Sequence, residues 1–187
     1  MAKAYPILSD WDHVRTNAVR LYCNRDQYAY LYGGNGEYIP DRAAAERIVN
    51  RLWSQYPSHF AKTVTGAGHT REELIQHIIG KRVMDCSALV CYVSQGTDYH
   101  ALSVKYDMSS GGLITACKSI TTPAAGPCGG VLWKSGHVGI DVGGGCFVEA
   151  ANEFIDIRLR NIADAGFVKS GQLPWVNYTA LLTATAR

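Results

Sequence analysis

The chain has 187 residues, of which 47% are apolar and 18% charged, enough for a sizeable core and inconsistent with overall disorder. That length fits one ordinary domain of roughly 100 to 200 residues. With 18 basic against 16 acidic side chains the formal net charge is +2, which advertises no phosphate-neutralising surface and excludes a nucleic-acid partner from the expectations.

At the start, Met-Ala-Lys-Ala-Tyr-Pro-Ile-Leu-Ser-Asp-Trp lacks the apolar core of a signal peptide, and nowhere do roughly 18 apolar residues run uninterrupted. A protein made in the cytoplasm without a signal peptide, and with no membrane span, is expected. Ser9 with Asp12 resembles a capping arrangement, and Trp11, Val14, Ala18 and Leu21 recur at helical spacing, predicting a helix over 10–24. Alternating tyrosines from Tyr28 to Tyr32 then lead into a glycine-rich turn. Pro40-Asp41 opens a second helix with Ile48, Val49, Leu52 and Trp53 on one side, and Pro57 stops it. A capping box of Thr70 and Glu73 begins a third, with Leu74, Ile75, Ile78 and Ile79 as its stripe and Gly80 as its close. These two helices read as a helical insertion at 38–82 within a single domain spanning 1–187.

Asp85 is a good cap for a helix from Cys86 to Gln95, with Leu89, Val90 and Val93 facing the core and Gly96 as the stop. Thereafter Val131-Leu-Trp, the run from His137 to Gly143, Cys146-Phe-Val-Glu-Ala-Ala and Ile155-Asp-Ile-Arg-Leu are short segments parted by glycines, the pattern of an antiparallel meander. Helices first and strands later predict an α+β domain. The six cysteines are scattered and include no Cys-x-x-Cys pair, so they read as mostly free thiols and no metal site is expected.

A cysteine in the first turn of a helix feels the unpaired backbone N–H groups, which favour its thiolate; Cys86 is the best placed of the six. Its base would be His137, at the start of a strand whose residues 137, 139 and 141 form the less apolar face. If Gly143-Gly144-Gly145 is the loop that follows, position 139 lies opposite 149, and His137 and Glu149 become diagonal neighbours on one face. That gives a nucleophile, a base and an orienting carboxylate in the order Cys86, His137, Glu149. The remaining histidines, His13, His59, His69, His77 and His100, show no matched partners and read as surface or packing residues. Arg158 and Arg160 read as a solvated strand face, Asp85 as a cap, and Tyr30 and Tyr32 as half-buried strand aromatics.

Asp85-Cys86-Ser87-Ala88-Leu89-Val90 resembles the Asp-Cys-Ser-Gly-Leu-Val nucleophile motif of the NlpC-type cell-wall endopeptidases, papain-like enzymes that cut peptidoglycan stem peptides. The stretch from Ser135 to Gly145 resembles their histidine strand, Phe147-Val-Glu-Ala the segment carrying their third residue, and Tyr30-Leu-Tyr-Gly-Gly their upstream Tyr-x-Trp-Gly-Gly motif. The resemblance spans residues 11–178 and is greatest to the compact, phage-associated members. It implies a papain-like fold, N-terminal helices packed on an antiparallel sheet with Cys86 at a helix N-terminus. It also implies a cysteine peptidase that cleaves the γ-D-glutamyl–diamino acid bond, with Tyr30, Asp85 and Ser87 at the substrate and no metal or organic cofactor. Ala88 departs from the family's glycine, and Glu149 stands where His, Asn or Gln is usual, with Asn152 a nearby substitute. Action on the cell wall by a protein without a signal peptide implies phage-type release or a virion component, with a phage tail or lysis-system partner. An amidase or acyltransferase on the same Cys-His scaffold, or a non-catalytic cell-wall-binding or virion protein, are the alternatives.

Overall fold

The structure is a computed structural model that describes residues 5–95 and 107–179. By chain contacts it divides into two compact units. The first draws on the segment ending at Cys23, on Cys86–Glu149 and on the segment beginning at Leu159; the second comprises Asn24–Asp85 and Ala150–Arg158. The chain begins in the first unit with β1 (Ser9–Asp10) and α1 (Trp11–Cys23), then crosses to the second for β2 (Tyr28–Tyr30), β3 (Asn35–Tyr38), α2 (Arg42–Gln55), α3 (Pro57–Thr63), α4 (Arg71–Ile78) and β4 (Arg82–Met84). It returns through α5 (Cys86–Gln95), α6 (Ser110–Ala116), β5 (Lys118–Thr121), β6 (Val131–Lys134), β7 (His137–Gly143), β8 (Cys146–Ala150), β9 (Ile157–Asn161), β10 (Lys169–Gln172) and β11 (Val176–Asn177). The fold is therefore α+β. Among the described residues, no helix is long and apolar enough to cross a membrane.

The first unit is built on a six-stranded sheet in the order β5-β10-β6-β7-β8-β9, so the expected meander is present as its last four strands. Neither β5 nor β10 was legible in the sequence: Lys118-Ser-Ile-Thr and Lys169-Ser-Gly-Gln carry no alternation of apolar residues. Ile155 precedes β9 instead of belonging to it, because Phe154 and Asp156 take left-handed φ values of 71° and 59° in the turn before the strand. Helix α5 packs against both α1 and β7. It is buried on nearly every side, including Cys86, Leu89, Val90 and Val93, as a central helix must be. Polar ties hold its far end: Ser9 Oγ donates to the Ser94 carbonyl at 2.6 Å, and Trp175 Nε1–H donates to Ser94 Oγ at 3.0 Å. Ser9 is thus occupied elsewhere, and the cap of α1 is Asp10, whose Oδ1 accepts the His13 N–H at 2.8 Å. Gly96, the expected stop of α5, lies outside the described residues.

In the second unit β2, β4 and β3 form a small sheet, β2 parallel and β3 antiparallel to β4, and α2 packs on α4. The expected cues act locally as read. Asp41 Oδ1 accepts the Ala44 N–H at 2.8 Å, and Thr70 with Glu73 closes a full capping box. Pro57 ends α2 but also supplies the first turn of α3, a short helix that no side-chain cap announces in the sequence. Phe60 from α3 joins Ile48, Leu52, Leu74, Ile78 and Val83 in the core of this unit. The two predicted helices and their insertion at 38–82 therefore lie inside a larger body with its own sheet and core.

Candidate active site

Strands β7 and β8 carry the site's best-defined contact. Their register pairs Ile140 with Val148 and Asp141 with Phe147, which sets 139 opposite 149 as expected, but the loop differs from the reading. Gly143 pairs with Cys146, so the connection is the two-residue turn Gly144-Gly145, and the pairing slips between Asp141 and Gly143. Both turn glycines have positive φ, 62° and 74°, as a type I′ hairpin turn requires. The slip compensates for the shorter loop, and the faces come out as expected.

His137 and Glu149 consequently meet. Nε2 of His137 lies 2.5 Å from Glu149 Oε2, with the two side chains 15% and 2% exposed. A carboxylate accepts only, so the proton sits on Nε2, and Nδ1 is left as the ring's basic nitrogen with no hydrogen-bond partner among the described residues. Two further residues border the pair, Arg160, which the sequence marked only as a strand-face residue, and Phe167, which it did not mark. Arg160 brings Nη1 to 3.7 Å from Glu149 Oε1 while its Nη2 donates to the Asp164 carbonyl at 3.1 Å, so it is not the solvated strand residue expected. Phe167 stacks nearly parallel to the imidazole, ring centres 6.1 Å apart, and meets Phe147 edge-on at 4.9 Å. The face of β7 that bears His137 is therefore not a polar one. Gly139 is needed there: a Cβ would stand 2.8 Å from the Phe147 ring.

Cys86 is the first residue of α5 and is 7% exposed. It heads the helix that packs on β7, and His137 heads that strand. All six cysteines are thiols. Burial alone pushes Cys117 up to about 12, and burial with the neighbouring Asp141 carboxylate pushes Cys128 up to about 11, which makes both poor nucleophiles. Ser87 follows Cys86 in α5 and is buried, whereas Tyr30 and Asp85 belong to the second unit. The Tyr30 N–H donates to Asp156 Oδ1 at 2.8 Å, and the Asp85 N–H to the Gly34 carbonyl at 3.0 Å. Asn152, weighed as a substitute for Glu149, sits in the turn after β8, where its backbone carbonyl accepts the Ile155 and Asp156 N–H groups.

Three histidines read as unpartnered in fact have acids. His59 Nε2 is 3.1 Å from Glu153, His77 Nε2 is 2.8 Å from Asp156, and His69 Nδ1 is 3.7 Å from Glu73. Two of these partners come from the turn before β9, far along the chain, so no local signal could pair them. No protein-family model matches the chain, and no curated protein matches it.

Proposed function

We propose that the protein is a cysteine peptidase of papain-like fold acting on the stem peptides of bacterial peptidoglycan. The observation that carries the reading is the His137–Glu149 contact, which leaves Nδ1 as a base on the strand against which the Cys86 helix packs. In this reading Nδ1 takes the Cys86 thiol proton and the thiolate attacks the scissile carbonyl. Backbone N–H groups in the first turn of α5 hold the oxyanion. His137 then protonates the leaving amine, and water releases the acyl group from Cys86. Glu149 keeps the ring in the tautomer this sequence needs and faces the charge the ring gains midway, while the partly exposed Arg160 adds a guanidinium beside that buried carboxylate.

The substrate class and the bond, γ-D-glutamyl to a diamino acid, rest on the resemblance of the Cys86 and His137 motifs, and so do the places of Tyr30, Asp85 and Ser87 at the substrate. Purified diaminopimelate-type and lysine-type peptidoglycan, incubated with the wild type and with Cys86→Ala, tests the reading by mass spectrometry. New stem-peptide fragments from the wild type alone are expected. Their absence from both walls, with folded protein, would refute it.

A further inference from the structure

A cavity of about 710 Å³ opens in the first unit beyond the Phe167 ring, within the 300 to 1,000 Å³ of small-molecule pockets. Pro123, Ala124, Ile162, Ala163 and Phe167 give it apolar walls, and Asp141 is the single carboxylate among the described residues that line it. Asp141 is only 6% exposed, and its Oδ1 accepts the Gly143 N–H at 2.7 Å. Among the described residues Oδ2 makes no hydrogen bond or ion pair, and those lining the cavity include no lysine, arginine or histidine. A buried carboxylate without a cation is costly, and burial accordingly holds this carboxyl above the usual range.

We infer that this cavity is a binding site for a small organic ammonium ion, with the charged head at Asp141 and an apolar body against Ile162 and Phe167. The walls choose between cations. Among the described residues, no group of three or more His, Cys, Asp or Glu side chains is arranged to hold a metal ion, so an inorganic cation finds one carboxylate and mostly hydrocarbon. An alkyl or aryl ammonium instead satisfies Oδ2 with its N–H groups and buries its body on the apolar walls. The site is separate from Cys86 and stands whether or not that thiol is a nucleophile.

Titration with 4-phenylbutylamine and its neutral counterpart 4-phenylbutan-1-ol, followed by calorimetry and by the amide NMR signals of Gly143, Gly144 and Gly145, tests the assignment. The amine is expected to bind at least tenfold more tightly than the alcohol and to shift those amides. Asp141→Asn retains the acceptor for Gly143 and should bring the two affinities to within about threefold. Ala163→Trp, an exposed wall position, should weaken both ligands without touching Asp141. Cys86→Ala should bind the amine as the wild type does. Equal affinities in the wild type, an amine preference that survives Asp141→Asn, or no amine binding at millimolar concentration would each overturn the assignment.

Discussion

Replacing Glu149 with glutamine perturbs the site at its most constrained contact. In the wild type, Nε2–H is donated over 2.5 Å to a carboxylate that is 2% exposed. A hydrogen bond to an ionised group contributes about 1.5–3 kcal/mol, and a glutamine can only weaken it or turn its own N–H toward Nε2, which moves the ring proton to Nδ1 and removes the base. At about 1.4 kcal/mol per tenfold in rate, the expected loss is about 10- to 150-fold, seen in turnover with little change in KM. Alkylation of Cys86 by iodoacetamide at pH 7, followed by peptide mapping, reads the same loss without a substrate. Cys128 and Cys117 are internal standards: set against the ordinary 9.0, values of about 11 and about 12 make their thiolates roughly 100-fold and 1,000-fold scarcer. Their rates should not change in Glu149→Gln. His137→Ala should slow Cys86 at least as much, and the double variant no further, as groups acting in one chain require. Wild-type Cys86 reactivity in a folded Glu149→Gln protein, or a wild-type Cys86 slower than Cys128, would refute the reasoning.

Other expected outcomes concern stability. Asp141 is pushed up by burial, so its native state favours the protonated carboxyl, and the stability this gives at low pH is lost as pH rises through the native titration. Asp141→Asn should therefore melt above the wild type at neutral pH in scanning calorimetry, with the gain vanishing under acid conditions. In the second unit, Thr70→Ala removes half of the capping box and should cost about 1 kcal/mol in urea unfolding. Among the described residues, His59→Ala leaves the Glu153 carboxylate, 0% exposed at its side chain, with the Tyr32 N–H alone, and should cost about 3–5 kcal/mol in the same assay; a loss under 1 kcal/mol would show that the pair does not stabilise the fold as a buried one does.

What the sequence made legible was what is local. The helices of Trp11–Cys23, Arg42–Gln55, Arg71–Ile78 and Cys86–Gln95 announce themselves through apolar spacing, two of them also through the caps Asp41 and Thr70, and the hairpin of His137 and Glu149 through its glycines and period of two. That hairpin came out in the expected register by a different route, because a slip next to Gly143 offsets a loop one residue shorter than read. Contacts closed over long separations left no such trace. Arg160 reaches Glu149 from a neighbouring strand, Phe167 covers His137 from a loop, and Glu153 and Asp156 pair with His59 and His77 across 94 and 79 residues. A single histidine or arginine carries no mark of a partner that only the tertiary fold brings near. The short polar strands β5 and β10 escaped for a related reason, since their pairing and not their own pattern makes them strands.

Glu149 and Asp141 show how one hairpin can hold two acids to different ends. Both lie on the same face of β7 and β8, both are more than nine-tenths buried, and each pays the desolvation of a carboxylate. For Glu149 the chain supplies the compensation, an imidazole N–H at 2.5 Å and a guanidinium at 3.7 Å, so the charge is spent on fixing the orientation of a ring. For Asp141 the described residues supply one backbone N–H and then a cavity with no cation in its walls. Phe167 stands between the two, stacked on His137 on one side and lining the cavity on the other. A ligand that draws Asp141 into an ion pair would therefore lie against the ring that stacks on His137, the base in the proposed peptidase. Occupancy of the cavity by an ammonium ion should then be felt at His137, through packing and without any change in the Glu149 contact.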